Sequence, residues 1–282
     1  MQCWRILLIG IGLLACSPKL WAQEVTIATE FSDSNAKAYS TQMQHWQLLL
    51  QSAPQLQVKY VHVAMQRGFE LLTQSGYCTI NKLKTTERAA RWLYSARPLN
   101  VSPSLRLITL GQSEPGTVTG EVQAAQDEVD LQNWLRHPAR RKIGITAGSS
   151  YGATIDQLIK SRPNQFYLVH GQDVTLKLWQ MLKRGRIDAI MDYPVRIDHL
   201  RQVQQDNTTY TALPLQGLPL YLEGFVVCNR EAHGQQLMQY IDELMAQPQV
   251  QQRLVASYRQ YFTDAQWQQL QPYLQQTFSA AF

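Results

Sequence analysis

The chain has 282 residues, of which 45% are hydrophobic and 17% are charged. This size and composition suit one large globular core or two ordinary ones, and they exclude a disordered chain, a collagen and a disulfide-dense miniprotein. The formal net charge of +5 raises the question of a nucleic-acid partner, but two of the 26 basic residues lie within the first 22 positions. The remaining 24 basic and 21 acidic residues give a net charge of +3. They form no basic run with interleaved aromatics, so nucleic acid is not expected as a partner.

The first 22 residues predict a cleaved secretory signal peptide. A short basic region ends at Arg5, an apolar stretch runs from Ile6 to Ala15, and a Pro-broken tail ends in the small residue Ala22. The apolar stretch is half of the roughly 20 residues that a membrane-spanning helix needs. The mature protein is therefore expected to be soluble and exported. The Leu-Leu-Ala-Cys sequence that ends at Cys16 resembles the lipobox of bacterial lipoproteins, and lipidation of Cys16 is the alternative.

Two cysteines remain after the signal peptide, Cys78 and Cys228. Two thiols in an oxidising compartment pair more often than they stay free, and a distant pair does not fit a zinc site, which needs closely spaced ligands. A disulfide between them is expected. Two small buried residues that never meet are the alternative.

Strand and helix signals alternate along the first part of the mature chain. Strands are predicted at 25–29, 56–63, 77–80 and 105–110, and helical segments at 39–50, 66–74 and 85–94. The polar loop from Gly111 to Gly116 is the expected crossing into a second unit.

The second unit continues the alternation and then returns to the first. Strands are predicted at 142–146, 166–169 and 187–191, and helices at 153–160 and 174–184, the last between the N-cap Asp173 and the glycine Gly185. A Pro- and Gly-punctuated segment at 213–219 leads back through a strand at 221–228 to C-terminal helices. The pattern predicts α/β lobes with mostly parallel sheets, lobe 1 from 23–110 and 220–282 and lobe 2 from 111–219, around a hinge.

The segment Thr85-Thr86-Glu87-Arg88, followed by Tyr94-Ser95 and Pro98, resembles the Thr-x-Glu-Arg…Phe/Tyr-Ser-x-Pro signature of bacterial extracellular solute-binding proteins of family 3. These are the periplasmic amino-acid-type receptors of ABC importers. Segments 142–151, 183–191 and 254–262 resemble the same family in the same order, so the resemblance covers essentially the whole mature chain. The chain is also similar to an uncharacterised proteobacterial branch that carries a Cys shortly before this signature.

The resemblance implies a fold, a location and partners. The fold is the type II periplasmic-binding-protein-like α/β fold, in which two lobes are joined by a two-strand hinge and the ligand cleft lies between them. The protein would act in the periplasm as a monomer that captures a small-molecule solute, closes around it and presents it to a possible ABC permease in the inner membrane.

The resemblance also implies ligand-binding residues. Arg88 occupies the position that grips the ligand's carboxylate, and its planar fork of donors suits that group. An arginine that caps the local helix or pairs with a neighbouring acid is the alternative. Further candidates are Thr86 in the same segment, the aromatic Phe31 after the first strand, and the turn with Ser149 and Ser150, whose N–H groups and hydroxyls could bind an anion or merely cap a helix.

The sequence departs from the family at two binding positions. Leu83 stands where family members usually have a second threonine, and counting to the aspartate that holds the ligand's ammonium reaches Tyr193, with Asp192 one residue early. The set of residues that holds an amino acid in this family is therefore incomplete, and this argues against an ordinary α-amino acid as the ligand.

Two other functions remain open on the same fold. One is an enzyme resembling cyclohexadienyl or arogenate dehydratases, for which Glu30, Asp192 or Glu223 could supply an acid, although the sequence assigns no catalytic residue. The other is a transport-independent partner of a sensor. The six histidines are scattered without metal-ligand spacing, so neither a metal nor a cofactor is expected.

Overall fold

Two β-sheets organise the chain in the computed structural model, which describes residues 23–30, 40–111, 128–138 and 141–281. The predicted signal peptide, Cys16 and Phe31 lie outside the described residues. Each sheet carries helices against it, so the described chain forms two α/β lobes, as predicted. Among the described residues, no helix is both long enough and apolar enough to cross a membrane.

The first lobe contains a six-stranded sheet in the order β2-β1-β3-β11-β4, with β5 also paired to β11. Its strands are β1 Gln23–Thr29, β2 Leu56–His62, β3 Tyr77–Lys82, β4 Leu93–Tyr94, β5 Asn100–Pro103 and β11 Tyr221–Cys228. The first and third strands run parallel, whereas β11 is antiparallel to its partners. The helices of this lobe are α1 Ser40–Gln51, α2 Met65–Leu71, α3 Thr86–Arg91, α8 Ala232–Ala246, α9 Pro248–Tyr258 and α10 Asp264–Thr277, followed by a 3₁₀ helix Ser279–Ala281.

The second lobe contains a five-stranded sheet in the order β10-β6-β9-β7-β8. Its strands are β6 Arg106–Leu110, β7 Ile143–Thr146, β8 Phe166–Val169, β9 Ala189–Asp192 and β10 Tyr210–Leu213. Its helices are α4 Leu131–Trp134, α5 Ala153–Ser161, α6 Val174–Lys183 and α7 Pro194–Gln204, with a 3₁₀ helix Pro163–Gln165 before β8. Strand β7, which lies between β9 and β8, is parallel to both neighbours, as βαβ connections require.

Strand pairing moves the first crossing between the lobes to an earlier position than we predicted. β6 pairs with β9 and β10 and so belongs to the second sheet, although the predicted boundary put residues 105–110 in the first lobe. The chain therefore crosses between Pro103 and Arg106, before the glycine-rich loop that begins at Gly111. The return runs between Leu213, the last residue of β10, and Tyr221, the first of β11.

The core of the first lobe lies between its sheet and the C-terminal helices. Leu237, Ile241, Leu244 and Met245 project from one face of α8 and are all less than 5% exposed, at the 3- and 4-residue spacing of an amphipathic helix. They pack into the same cluster as Trp46 of α1. Burying such side chains contributes about 1.5–3 kcal/mol each, so this packing fixes the sheet that carries the cleft residues.

A disulfide between Cys78 and Cys228 joins β3 to β11, which confirms the expected pairing. The two residues face each other in the antiparallel register of these strands, and both are buried. Their loop of 150 residues corresponds to a stabilisation of about 5 kcal/mol in the chain-entropy model. The bond holds together the two strands from which the cleft wall is built.

Candidate functional site

Arg88 stands in the wall of the first lobe that faces the second lobe. The hydroxyl of Thr85, the N-cap of α3, accepts a hydrogen bond from the Arg88 backbone N–H at 3.2 Å, so the start of the helix also positions this residue. The guanidinium donates through Nη1 to the Leu83 carbonyl at 3.3 Å and through Nη2 to the Gly148 carbonyl at 2.8 Å. Its Cζ atom lies 4.5 Å from the centre of the Phe69 ring. Arg88 thus contacts both lobes.

The charge of Arg88 is not neutralised by a carboxylate among the described residues, since none of their ion pairs includes it. Burial lowers the pKa of Arg88, while Tyr94, Asp156 and Glu87 oppose that shift. An arginine side chain nevertheless stays charged in proteins. Its partners are the two neutral carbonyls and the Tyr94 hydroxyl, so at least two of the five guanidinium N–H groups are left for a ligand. Thr86, also predicted to bind ligand, is exposed at the start of α3.

Lys82 and Glu30 form an ion pair at the carboxyl ends of β3 and β1. The Lys82 Nζ atom lies 2.6 Å from Glu30 Oε2, and the side chains are 2% and 20% exposed. Burial lowers the pKa of Lys82, the Glu30 carboxylate raises it, and Arg88 and Arg196 lower it further. These three cations are therefore within electrostatic range of one another.

A β-bulge turns Lys82 toward Glu30. Lys82 pairs with Phe225 and Thr79 pairs with Val227, so two residues of β3 lie opposite one residue of β11. The extra residue reverses the alternation of side chains. Without it, Lys82 would share the face of Ile80, which packs in the apolar core.

The second lobe contributes Asp192, Tyr193 and Arg196. Asp192, 3% exposed, accepts hydrogen bonds from the Tyr193 backbone N–H at 2.8 Å, from Arg196 Nη1 at 3.3 Å and from the Thr175 hydroxyl at 2.7 Å. The Arg196 guanidinium also stacks on the Tyr193 ring at 4.6 Å. Burial raises the pKa of Tyr193, Arg196 lowers it, and the carboxylates of Asp192 and Glu30 raise it. The Tyr193 hydroxyl is therefore within electrostatic range of Glu30 in the other lobe.

The serine turn predicted to meet an anion makes contacts within the protein. The Ser149 hydroxyl donates to the Met65 Sδ atom of the first lobe at 3.3 Å. The Ser150 hydroxyl donates to Asp156 at 2.6 Å, and the same carboxylate accepts the Tyr151 N–H at 2.8 Å. Neither serine is the N-cap of α5, since that position belongs to a glycine, residue 152.

A cavity of about 270 Å³ lies between the lobes beside this turn. Its walls come from the start of α2, including Gln66 and Arg67, and from the carboxyl ends of β7 and β8, including Thr146 and His170. Gly148 packs directly on Gln66: a Cβ atom added to this glycine would lie 3.1 Å from the Gln66 Cβ. The carboxyl ends of the strands therefore meet at a crevice, which is where α/β folds bind ligands.

None of the predicted site residues that the structure describes lines this cavity itself. Arg88 and Ser149 make contacts across the two lobes beside it, Ser150 follows in the same turn, and Asp192 and Tyr193 lie at the end of β9. Three further residues were not predicted as ligand contacts: Glu30, considered only as an acid for an enzyme, Lys82 and Arg196. Among the described residues, no three His, Cys, Asp or Glu side chains are grouped to hold a metal ion.

No protein-family model and no curated protein matches the chain. A Listeria monocytogenes protein assigned as an L-cystine ABC transporter is 16% identical over 83% of this chain and 91% of its own, with a TM-score of 0.54. A Streptococcus mutans structure from the glutathione-import system of GshT and the cystine ABC importer TcyBC is 14% identical over 85% and 94%, with a TM-score of 0.60. A histidine kinase sensor domain with similarity to periplasmic binding proteins is 10% identical over 86% and 97%, with a TM-score of 0.61. At these identities the likeness shows the fold alone, and it confirms the predicted fold class.

Proposed function

We propose that the chain is an exported solute-binding protein that captures a small, polar, carboxylate-bearing solute between its lobes for an ABC importer. The observation that carries this proposal is the guanidinium of Arg88, which faces the second lobe without a carboxylate partner among the described residues. A guanidinium binds a carboxylate with two parallel hydrogen bonds, and the pair is stronger in a site that excludes water.

The contacts between the lobes support capture by hinge closure. Arg88 donates to the Gly148 carbonyl, Ser149 contacts Met65, and the Gln172 side-chain amide donates to the carbonyl of residue 62 at 3.3 Å. These contacts are few and polar, and closures of this kind open at little cost. The closed arrangement removes the crevice from bulk water, whereas an open one would admit a solute.

The partner and the compartment rest on the sequence and on the structural neighbours. The predicted signal peptide would send the chain to the periplasm, where its disulfide could form. The Listeria and Streptococcus neighbours belong by description to ABC importers of cystine or glutathione. We extend to this chain only the pairing with a membrane permease.

A sensor role is the second candidate, because the same fold occurs in a histidine kinase sensor domain. An enzyme is less well supported. A general acid needs a carboxyl group that can release a proton to the substrate, but Asp192 accepts three hydrogen bonds and Glu30 is bound to Lys82.

A thermal-shift screen tests the proposed function. The secreted protein is mixed with small carboxylates, amino acids, neutral polar metabolites and polyamines, and each compound is recovered afterwards to check that it is unchanged. We expect at least one carboxylate to raise Tm by about 5–10 °C at roughly 100 times its Kd. A screen in which no carboxylate stabilises the protein would contradict the proposal, and turnover of prephenate or arogenate would replace it with the enzyme.

A further inference from the structure

An ammonium group binds most strongly where a carboxylate of the protein lies against it. A carboxylate already neutralised by a cation of the protein offers little attraction, and displacing that cation leaves a buried charge unpaired, which costs several kcal/mol. The acids around the cleft therefore indicate whether an ammonium-bearing ligand fits.

Glu30, at the cleft end of β1, is neutralised by the chain itself. Lys82 reaches it at 2.6 Å from a position that is 98% buried by the other side chains, so this ammonium does not leave the site easily. Whichever of the two groups holds the proton, the pair has no net charge. Glu30 therefore offers no net charge to an ammonium group of a ligand.

Asp192 is also neutralised, from within the second lobe. Both of its oxygens accept hydrogen bonds, and its charge is balanced by Arg196. Asp156, near the serine turn, accepts from Ser150 and Tyr151 and lies in the first turn of α5, where the helix dipole stabilises a negative charge.

Two further acids among the described residues lie on the rim of the crevice. Glu70 pairs with Arg67 at 2.9 Å, and both side chains are at least half exposed. Glu87 lies 4.0 Å from Lys160, and both are exposed. By contrast, Arg88 has no carboxylate partner among the described residues, so the imbalance in the crevice is on the cationic side.

We infer that the ligand is an organic acid that lacks an ammonium group, because Lys82 and Arg196 neutralise Glu30 and Asp192 from within while Arg88 remains available for the acid. This inference rests on the proposed function and names its solute class. It agrees with the incomplete set of amino-acid-binding residues, because Asp192, next to the position expected for the ammonium-binding aspartate, is already paired with Arg196 of the chain itself.

Matched pairs of compounds test the inference on the wild-type protein. Each pair has one carbon skeleton and differs only in an amino or a hydroxyl group on the carbon next to the carboxylate: alanine and lactate, leucine and 2-hydroxyisocaproate, phenylalanine and phenyllactate, glutamate and 2-hydroxyglutarate. Kd is measured for each by calorimetry. We expect the hydroxy acid of the best-binding pair to bind at least 10-fold more tightly than its amino acid.

Substitution of Lys82 tests the cause. Lys82→Met frees the Glu30 carboxylate, so the preference should move toward the amino acid by at least 10-fold, and adding Glu30→Gln should remove that gain. Lys59→Met is the matched control, because Lys59 also pairs with a glutamate on a strand of the same sheet but is 70% exposed. The control should leave the preference within 2-fold of wild type.

The outcomes separate this inference from the proposed function. Amino acids that bind wild type as tightly as their hydroxy analogues would overturn the inference and leave a solute-binding protein. A Lys82→Met protein with the wild-type preference would also overturn it. If that variant does not fold, the Kd values of the compound pairs on the wild-type protein alone test the inference. Binding by neither member of any pair would overturn the inference, and a thermal-shift screen in which no carboxylate stabilises the protein would overturn the proposed function as well.

Discussion

His45 is fully buried in α1, where both ring nitrogens have partners. Nδ1 lies 3.1 Å from the Leu99 carbonyl, and Nε2 lies 2.6 Å from the Ser257 hydroxyl. Burial lowers the pKa of His45 to about 4, against a smaller opposing effect of the bond to Leu99. The side chain is therefore neutral in the fold, with Nδ1–H donating to the carbonyl.

This histidine predicts an acid-dependent loss of stability. Above the ordinary pKa of 6.5 the folded and unfolded chains are both neutral at this group. As pH falls from 6.5 to about 4, only the unfolded chain takes up the proton, so the folded state loses about 1.4 kcal/mol per pH unit. Urea unfolding should show that wild type loses about 2 kcal/mol more than His45→Gln between pH 7.5 and pH 5. Equal losses would contradict this account, and the two proteins should change alike between pH 7.5 and 8.5.

The sequence indicates Arg88 as a candidate and the cysteine pair, but it does not indicate the buried Lys82. Arg88 belongs to a recognisable segment, and the cysteine pair followed from composition and compartment. Lys82 could not be predicted, because a lysine at the end of a strand usually faces solvent. Its burial depends on the partner Glu30, which lies 52 positions earlier in the chain.

The bulge in β3 is the element that places Lys82, and it depends on a close approach between two strands. Asn81 has a positive φ of 57°, which is uncommon for a residue other than glycine. A Cβ atom added to Gly224 of β11 would lie 1.9 Å from Asn81 Oδ1 and 3.1 Å from its Cα. The bulge therefore requires glycine at position 224.

Gly224→Ala should weaken both the fold and the site. The added methyl group must displace Asn81, which costs about 1–3 kcal/mol of unfolding free energy, and the shift moves the adjacent Lys82. We expect at least a 10-fold loss of affinity for the best acid of the screen. Gly68→Ala in α2 is the control, since its Cβ would have no neighbour closer than 3.9 Å and alanine favours a helix. The unfolding free energy is measured with urea and the affinity by calorimetry. If both are the same for Gly224→Ala and wild type, the bulge is not needed.

Among the elements, hydrophobic periodicity predicted the alternation of strands and helices but not which sheet β6 joins. Residues 105–110 read as a strand, and the glycine-rich loop after them gave a plausible boundary. The sheet that β6 joins is determined by its hydrogen bonds to β9 and β10, which begin more than 80 residues after the start of β6. Sequence periodicity contains no information on such pairing.

At the scale of the whole molecule, the two lobes meet through polar contacts of Arg88, Ser149 and Gln172 in the part of the chain that the structure describes. The first lobe is stabilised by the apolar core between its sheet and its helices and by the Cys78–Cys228 disulfide. The loop after β7 brings Gly148 into contact with Arg88, and β9 ends at Asp192 on the same side of its sheet. In the proposed function this arrangement would trap one small molecule, and Arg88, which has no carboxylate partner among the described residues, would select an anion.

Calorimetric titration with the carboxylate that gives the largest thermal shift tests this account most directly. Wild type should bind one molecule per chain, and Arg88→Ala should lose about 100-fold or more in affinity, because a bidentate pair with a buried charge is removed. Arg88→Lys should retain part of the affinity, since it keeps the charge but not the planar fork. Arg91→Ala, which removes an exposed arginine from the same helix, should bind within 2-fold of wild type. Equal affinity of Arg88→Ala and wild type would contradict the account.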